Sequence, residues 1–246
     1  MKKAVILILI FINLISCSKN NQVNFDTGNL WKITSKSGTE SFIFSTIHLY
    51  PKDELDIAQE AISSLKKCNT LALEFNMLDS LELQKISTYK MPKSLSNGYS
   101  ALLSEYDPKE LSSMEIQLIE IAKKHELKII GLESADEMLA NLDKFKETED
   151  SKKEMSNQLL IENFQMAFKM YREENIHGIK KNMSQDEPTM TEIIVDQRNK
   201  NWIEDIIKTI EKEKTFIAVG MAHFGGENGI LNLLHKEGFK LERIKN

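Results

Sequence analysis

The sequence predicts an α/β fold, with a central mixed, mostly parallel sheet flanked by helices and a helical insertion. Two observations point there. Short runs rich in β-branched and aromatic residues alternate with segments of helical period through most of the chain. Residues 134–187 break the alternation, because they hold helical pattern and no strand run. A hydrophobic content of 41% is enough for a core, and four Pro with ten Gly are too few for a many-turned all-β design.

Taken in order, Leu30–Thr34 and Phe42–Thr46 read as strands, joined into a hairpin by 35–40, which contains Gly38. In 54–67, Leu55, Ala58, Ile62 and Leu65 follow helical spacing. Thr70–Phe75 reads as a strand, 111–125 as an amphipathic helix, 127–132 as a strand and 134–145 as a helix. Residues 153–181 form one long helical stretch rich in Met and aromatics, which Glu187-Pro188 ends. Helix resumes over 191–212, then strand (214–219), helix (227–236) and a last strand (239–244). One domain is expected over 29–246, with the insertion at about 134–187.

The N-terminus sets the expected compartment. Met1-Lys2-Lys3 precedes an apolar run, Ala4 to Ile15, interrupted only by Asn13. As a helix that run spans roughly 20 Å, short of the roughly 30 Å hydrocarbon core, and it fits a secretory signal peptide. Leu14-Ile15-Ser16-Cys17 resembles the lipobox of bacterial lipoproteins. The expected arrangement is a signal peptide over 1–16, a lipidated Cys17 and a polar tether over 17–28. Location would be extracytoplasmic, in the outer membrane of a diderm cell, since Ser18 rather than Asp follows the cysteine. Cleavage before Cys17 removes two lysines and no acid, taking the net charge from −5 to −7. Acyl chains, not surface charge, would then hold the protein to its membrane partner. The same charge excludes a nucleic-acid binder relying on global positive charge. Cys68, the remaining thiol, reads as structural.

Four strand runs end near a group that can do chemistry: His48, Glu74, Glu133 and His223. Ligands bind beyond the carboxyl ends of strands in open α/β sheets, so parallel strands would bring two His and two Glu to one solvent-facing edge. Neutral imidazole and carboxylate are ligands for divalent first-row metals. His48, His223 and one carboxylate, taken as Glu74, would hold the metal. Glu74 and Glu133 are both catalytic candidates: the carboxylate that does not hold the metal would act as general base or orienter, and Arg198 would hold a substrate carboxylate or an oxyanion. The spacing of Gly220, Gly225, Gly226 and Gly229 matches neither the Walker loop nor the dinucleotide fingerprint.

Five segments carry a resemblance: Leu30-Trp31-Lys32-Ile33, Phe44 to Leu49, Gly131-Leu132-Glu133, Asp196 to Trp202, and Ala218 to Gly229. In this order they look like the TraB/GumN family, across nearly all of 30–244. The family carries two Gly-x-x-His motifs, an acidic residue after an early strand and an Arg-Asn pair in a late helix. These fall here on His48 and His223, Glu74, and Arg198 with Asn199, the pair taken as substrate-binding. Ser45 departs, standing where the family has Gly. The resemblance implies a metalloprotease-like hydrolase using manganese or cobalt, as described for the similar Tiki proteins, with a peptide or protein substrate. It equally admits a non-catalytic binder that sequesters a peptide or a haem-like ligand, or a site that has decayed. Oligomeric state is left open.

Overall fold

The computed structural model describes residues 24–245. The expected signal peptide, Cys17 and the first part of the tether lie outside the described residues. In chain order the elements are β1 (Leu30–Thr34), β2 (Glu40–Thr46), β3 (Tyr50–Pro51), α1 (Gln59–Leu65), β4 (Thr70–Phe75), α2 (Ser80–Thr88), α3 (Lys93–Glu105), β5 (Leu111–Ser112), α4 (Met114–Lys124), β6 (Lys128–Glu133), α5 (Ala135–Lys146), α6 (Asn157–Arg172), α7 (Ile176–Asp186), the short α8 (Pro188–Met190), α9 (Gln197–Lys212), β7 (Thr215–Gly220), α10 (Ile230–Lys236) and β8 (Lys240–Ile244). A π-helical turn, Thr191–Asp196, leads into α9.

The main sheet has the order β6-β4-β7-β2-β1-β8. Strands β6, β4, β7 and β2 run parallel, while β1 is antiparallel to both of its neighbours. The expected mixed, mostly parallel α/β sheet is therefore present. Its centre is apolar on both faces: Phe44, Leu71, Phe216, Ile217 and Val219 are almost fully buried. Each such side chain contributes roughly 1.5–3 kcal/mol relative to an exposed one. Cys68 is buried as read; burial pushes its thiol up to about 12, outweighing the nearby lysines Lys214 and Lys67.

Several boundaries differ from expectation, each for a local reason. The stretch read as one helix over 153–181 is two, because Glu174 takes a left-handed turn (φ 52°) and the Asn175 side chain caps α7 by accepting from the Gly178 N–H. The helix expected from residue 54 starts only at Gln59; Leu55 and Ile57 are buried from a loop, and Ala58 is extended. The last helix starts at Ile230 rather than 227, after an extended Gly229. Helices α2 and α3 occupy a region with no element assigned from sequence. Ser134 caps α5 in a capping box with Glu137, which fixes where β6 hands over to helix.

Two features of this frame aim the site. The carboxyl ends of β2, β4, β6 and β7 lie along one sheet edge, as the parallel register requires. Helices α3, α6 and α7 stand over that edge, and residues 27–28 are pinned against the α6–α7 junction through the Gly28 N–H to the Glu174 carbonyl, 2.9 Å. No helix among the described residues is long and apolar enough to cross a membrane.

Candidate functional site

The parallel edge brings His48, Glu74, Glu133 and His223 into one constellation, with Arg198 between the carboxylates. Glu74, at the end of β4, is its hub. Its Oε1 accepts the Gly220 N–H at 2.7 Å, and its Oε2 accepts from Arg198 Nη2 at 2.8 Å. The Nε2 atoms of His48 and His223 lie 3.8 and 3.6 Å from Oε1. Burial pushes the Glu74 carboxyl up, but His223 when that ring is protonated, the charges of Arg198 and His48 and the Gly220 N–H outweigh it. The group is held well below the usual carboxylate range.

The two imidazoles are anchored from behind. Asn199 Nδ2 donates to the carbonyls of His223 and Asn228, at 3.1 and 2.8 Å. Its Oδ1 is therefore the atom 2.7 Å from His223 Nδ1. That nitrogen carries the hydrogen, and Nε2 presents a lone pair towards Glu74. Burial lowers the His223 pKa to about 3, against the pull of Glu74, so the ring is neutral near pH 7. His48 Nδ1 lies 2.8 Å from Glu115 Oε1. Burial lowers its pKa too, but Glu115 and Glu74 outweigh that and raise it to about 9. The His48 side chain is half exposed, whereas that of His223 is 5% exposed.

Arg198 and Asn199 sit one residue apart on α9, and Trp202 follows Arg198 by one helical turn on the same buried face. Arg198 Nε and Nη2 grip Glu133 at 3.0 and 2.5 Å, and Nη1 donates to the Ile194 carbonyl at 3.2 Å. Trp202 donates to Glu133 at 3.2 Å, lies under the guanidinium with 4.5 Å from Arg198 Cζ to its centroid, and packs 4.7 Å from the His223 ring.

Of the two roles expected of Glu133, general base or orienter, the geometry fits the orienter: it is buried and its oxygens accept from Arg198 and Trp202. Asn199 is fully buried behind His223 and orients that ring. The constellation is not simply solvent-facing, because Arg198, Glu133 and His223 are all buried. Ser45, the departure from the glycine motif, sits in extended β2 opposite Val219 and leaves His48 in reach of Glu74. Sequence reasoning missed Glu115, as well as Lys180, a buried lysine paired with Asp196 that ties α7 to the turn before α9.

A cleft of about 490 Å³ opens onto His48, Gly220, His223 and Arg198. Its walls are apolar and rich in methionine: Met155, Met166, Met170, Met183 and Met190 all line it, and Tyr99 stands at its side. The Met-rich segment read from sequence thus faces the site. Among the described residues, no group of three or more His, Cys, Asp or Glu side chains stands close enough together, as placed, to hold a metal ion. The donor chemistry nevertheless suits a divalent cation. Two ligands at about 2.0–2.2 Å from one ion stand roughly 3.0–3.5 Å apart, only a few tenths of an ångström inside the spacings from Glu74 to the imidazoles. Gly220 keeps the convergence point open. A Cβ there would sit 3.2 Å from Glu74 Oε1, 3.4 Å from His48 Nε2 and 3.7 Å from His223 Cδ2.

A family model described as TraB/PrgY/gumN matches residues 29–112 and 94–243, nearly the whole described chain. The chain belongs to the TraB/PrgY/gumN family. Both histidine motifs and the Arg198–Asn199 pair lie inside the matched residues. Among curated proteins and among solved structures, none matches this TraB/PrgY/gumN chain.

Proposed function

We propose that this TraB/PrgY/gumN protein is a divalent-metal-dependent hydrolase of peptide bonds, acting outside the cytoplasm and tethered to a membrane through lipidated Cys17. One observation carries the catalytic part. Two imidazole Nε2 atoms and a carboxylate oxygen converge at the floor of an apolar cleft, around a glycine that leaves their meeting point empty. A cation between them would stabilise the Glu74 carboxylate, the neutral His223 ring and His48, which gives up its Nε2 proton on binding. His48, His223 and Glu74 would hold it, manganese or cobalt being the ions the family resemblance favours. The chemistry such an ion supplies is Lewis-acid polarisation of a peptide carbonyl and activation of an attacking water.

The chain's own residues supply the rest. Arg198 and the Gly220 N–H keep Glu74 ionised and fix which of its oxygens faces the imidazoles. Glu133 and Trp202 hold Arg198 in place, so the guanidinium's net charge is largely balanced before any substrate arrives. The methionine wall, unbranched and polarisable, accommodates apolar side chains of varied shape. That same wall, with Arg198 already committed to protein carboxylates, favours a second reading in which the cleft retains an apolar peptide or haem-like ligand without turnover.

The full chain, incubated with a peptide library, should produce cleavage products only when manganese or cobalt is supplied. Chelation should abolish cleavage and metal return should restore it, read by mass spectrometry. Peptides retained but uncleaved at full metal occupancy would replace hydrolysis with binding.

A further inference from the structure

We infer that Glu115 is the positioning residue for His48: it fixes the imidazole with hydrogen on Nδ1 and so turns the Nε2 lone pair onto Glu74. The inference rests on the cation reading above and adds a residue outside the quoted motifs. Glu115 is the second residue of α4, after the N-cap Ser113, and is buried. Its Oε1 accepts from Thr46 Oγ1 at 2.5 Å and faces His48 Nδ1 at 2.8 Å; its Oε2 accepts from Ser113 Oγ at 2.9 Å. Two hydroxyl donors and the start of a helix all favour the ionised carboxylate. An ionised carboxylate only accepts, so the hydrogen between Glu115 and His48 belongs to Nδ1.

The opposite wall repeats the device with different chemistry. Asn199, its amide locked by two carbonyls, imposes the same tautomer on His223. Glu115 and Asn199 come from helices on different parts of the chain, α4 and α9, yet each holds one ring in the form that offers Nε2. A merely structural Glu115, tying α4 to the end of β2, would not require the matching tautomer. Carboxylate–imidazole pairs of this kind typically change metal affinity 10–100-fold when broken.

The test is ¹⁵N NMR of the full chain without metal, with the pH raised until the His48 ring is observed to be neutral, in wild type, Glu115→Gln and Glu115→Leu. Wild type should show His48 as the Nδ1–H tautomer. Glu115→Gln, whose amide oxygen still accepts, should retain it, and Glu115→Leu should shift towards Nε2–H. Manganese affinity, read by electron paramagnetic resonance, should fall about 10–100-fold in Glu115→Leu and less in Glu115→Gln. An Nε2–H tautomer in wild type overturns the inference without any variant having to fold, as does an unchanged Nδ1–H tautomer in Glu115→Leu. A wild-type protein with the expected tautomer but no manganese binding would sink the cation reading and leave the Glu115 assignment standing.

Discussion

Arg198→Ala should cost about 3–5 kcal/mol of stability, the usual penalty for stripping one partner from a buried ion pair. Two carboxylates, Glu74 and Glu133, would face each other across the vacated volume with no cation between them. For a domain of this size the loss corresponds to roughly 10 °C in melting temperature. A surface guanidinium free to meet substrate would cost far less. Arg198→Met combined with Glu133→Leu should recover part of the loss, because it leaves one carboxylate, Glu74, without its guanidinium instead of two. Differential scanning calorimetry of the single and double variants checks this. An unchanged melting temperature in Arg198→Ala would mean that the triad does not exist in solution.

Gly220→Ala should act in the opposite way, sparing the fold and closing the site. Gly220 has φ −53° and ψ 142°, a conformation alanine adopts freely, so the backbone does not object. The stability change should stay within about 1 kcal/mol, the loss of unfolded-state freedom offsetting the crowding. The added methyl, however, would lie 3.2 Å from Glu74 Oε1 and 3.4 Å from His48 Nε2. Metal affinity should fall about a hundredfold and cleavage with it, the upper end of what disturbing a metal site's surroundings does. Full metal binding in Gly220→Ala would show that the ion sits elsewhere.

The sequence made the sheet and the strand-end placements legible because each buried strand is a compact apolar run that stops at a polar residue. Thr70–Leu73 closing on Glu74 and Lys214–Val219 closing on the Gly220 motif are the clearest cases. The division of labour inside the site was not legible. Glu133 and Glu74 both read as strand-end acids, and only the three-dimensional position of Arg198 shows that one is its clamp and the other faces the imidazoles. Glu115 was hidden because an acid in the first turn of a helix is a common capping feature, and nothing local says that His48 lies beyond it. The break between α6 and α7 escaped notice for a related reason: a non-glycine residue, Glu174, makes the left-handed turn. Helix α2 has no buried residue and so offered no apolar stripe to read.

The central claim is that His48, His223 and Glu74 form one cation site. Metal content per chain, measured by elemental analysis after equilibration with manganese or cobalt, tests it most directly for wild type, His48→Ala and His223→Ala. One ion per wild-type chain is expected. Each single variant should lose nearly all of it, and the double variant should be little worse than either, because ligands of one ion act as a unit. Full occupancy in either folded single variant would contradict the shared site.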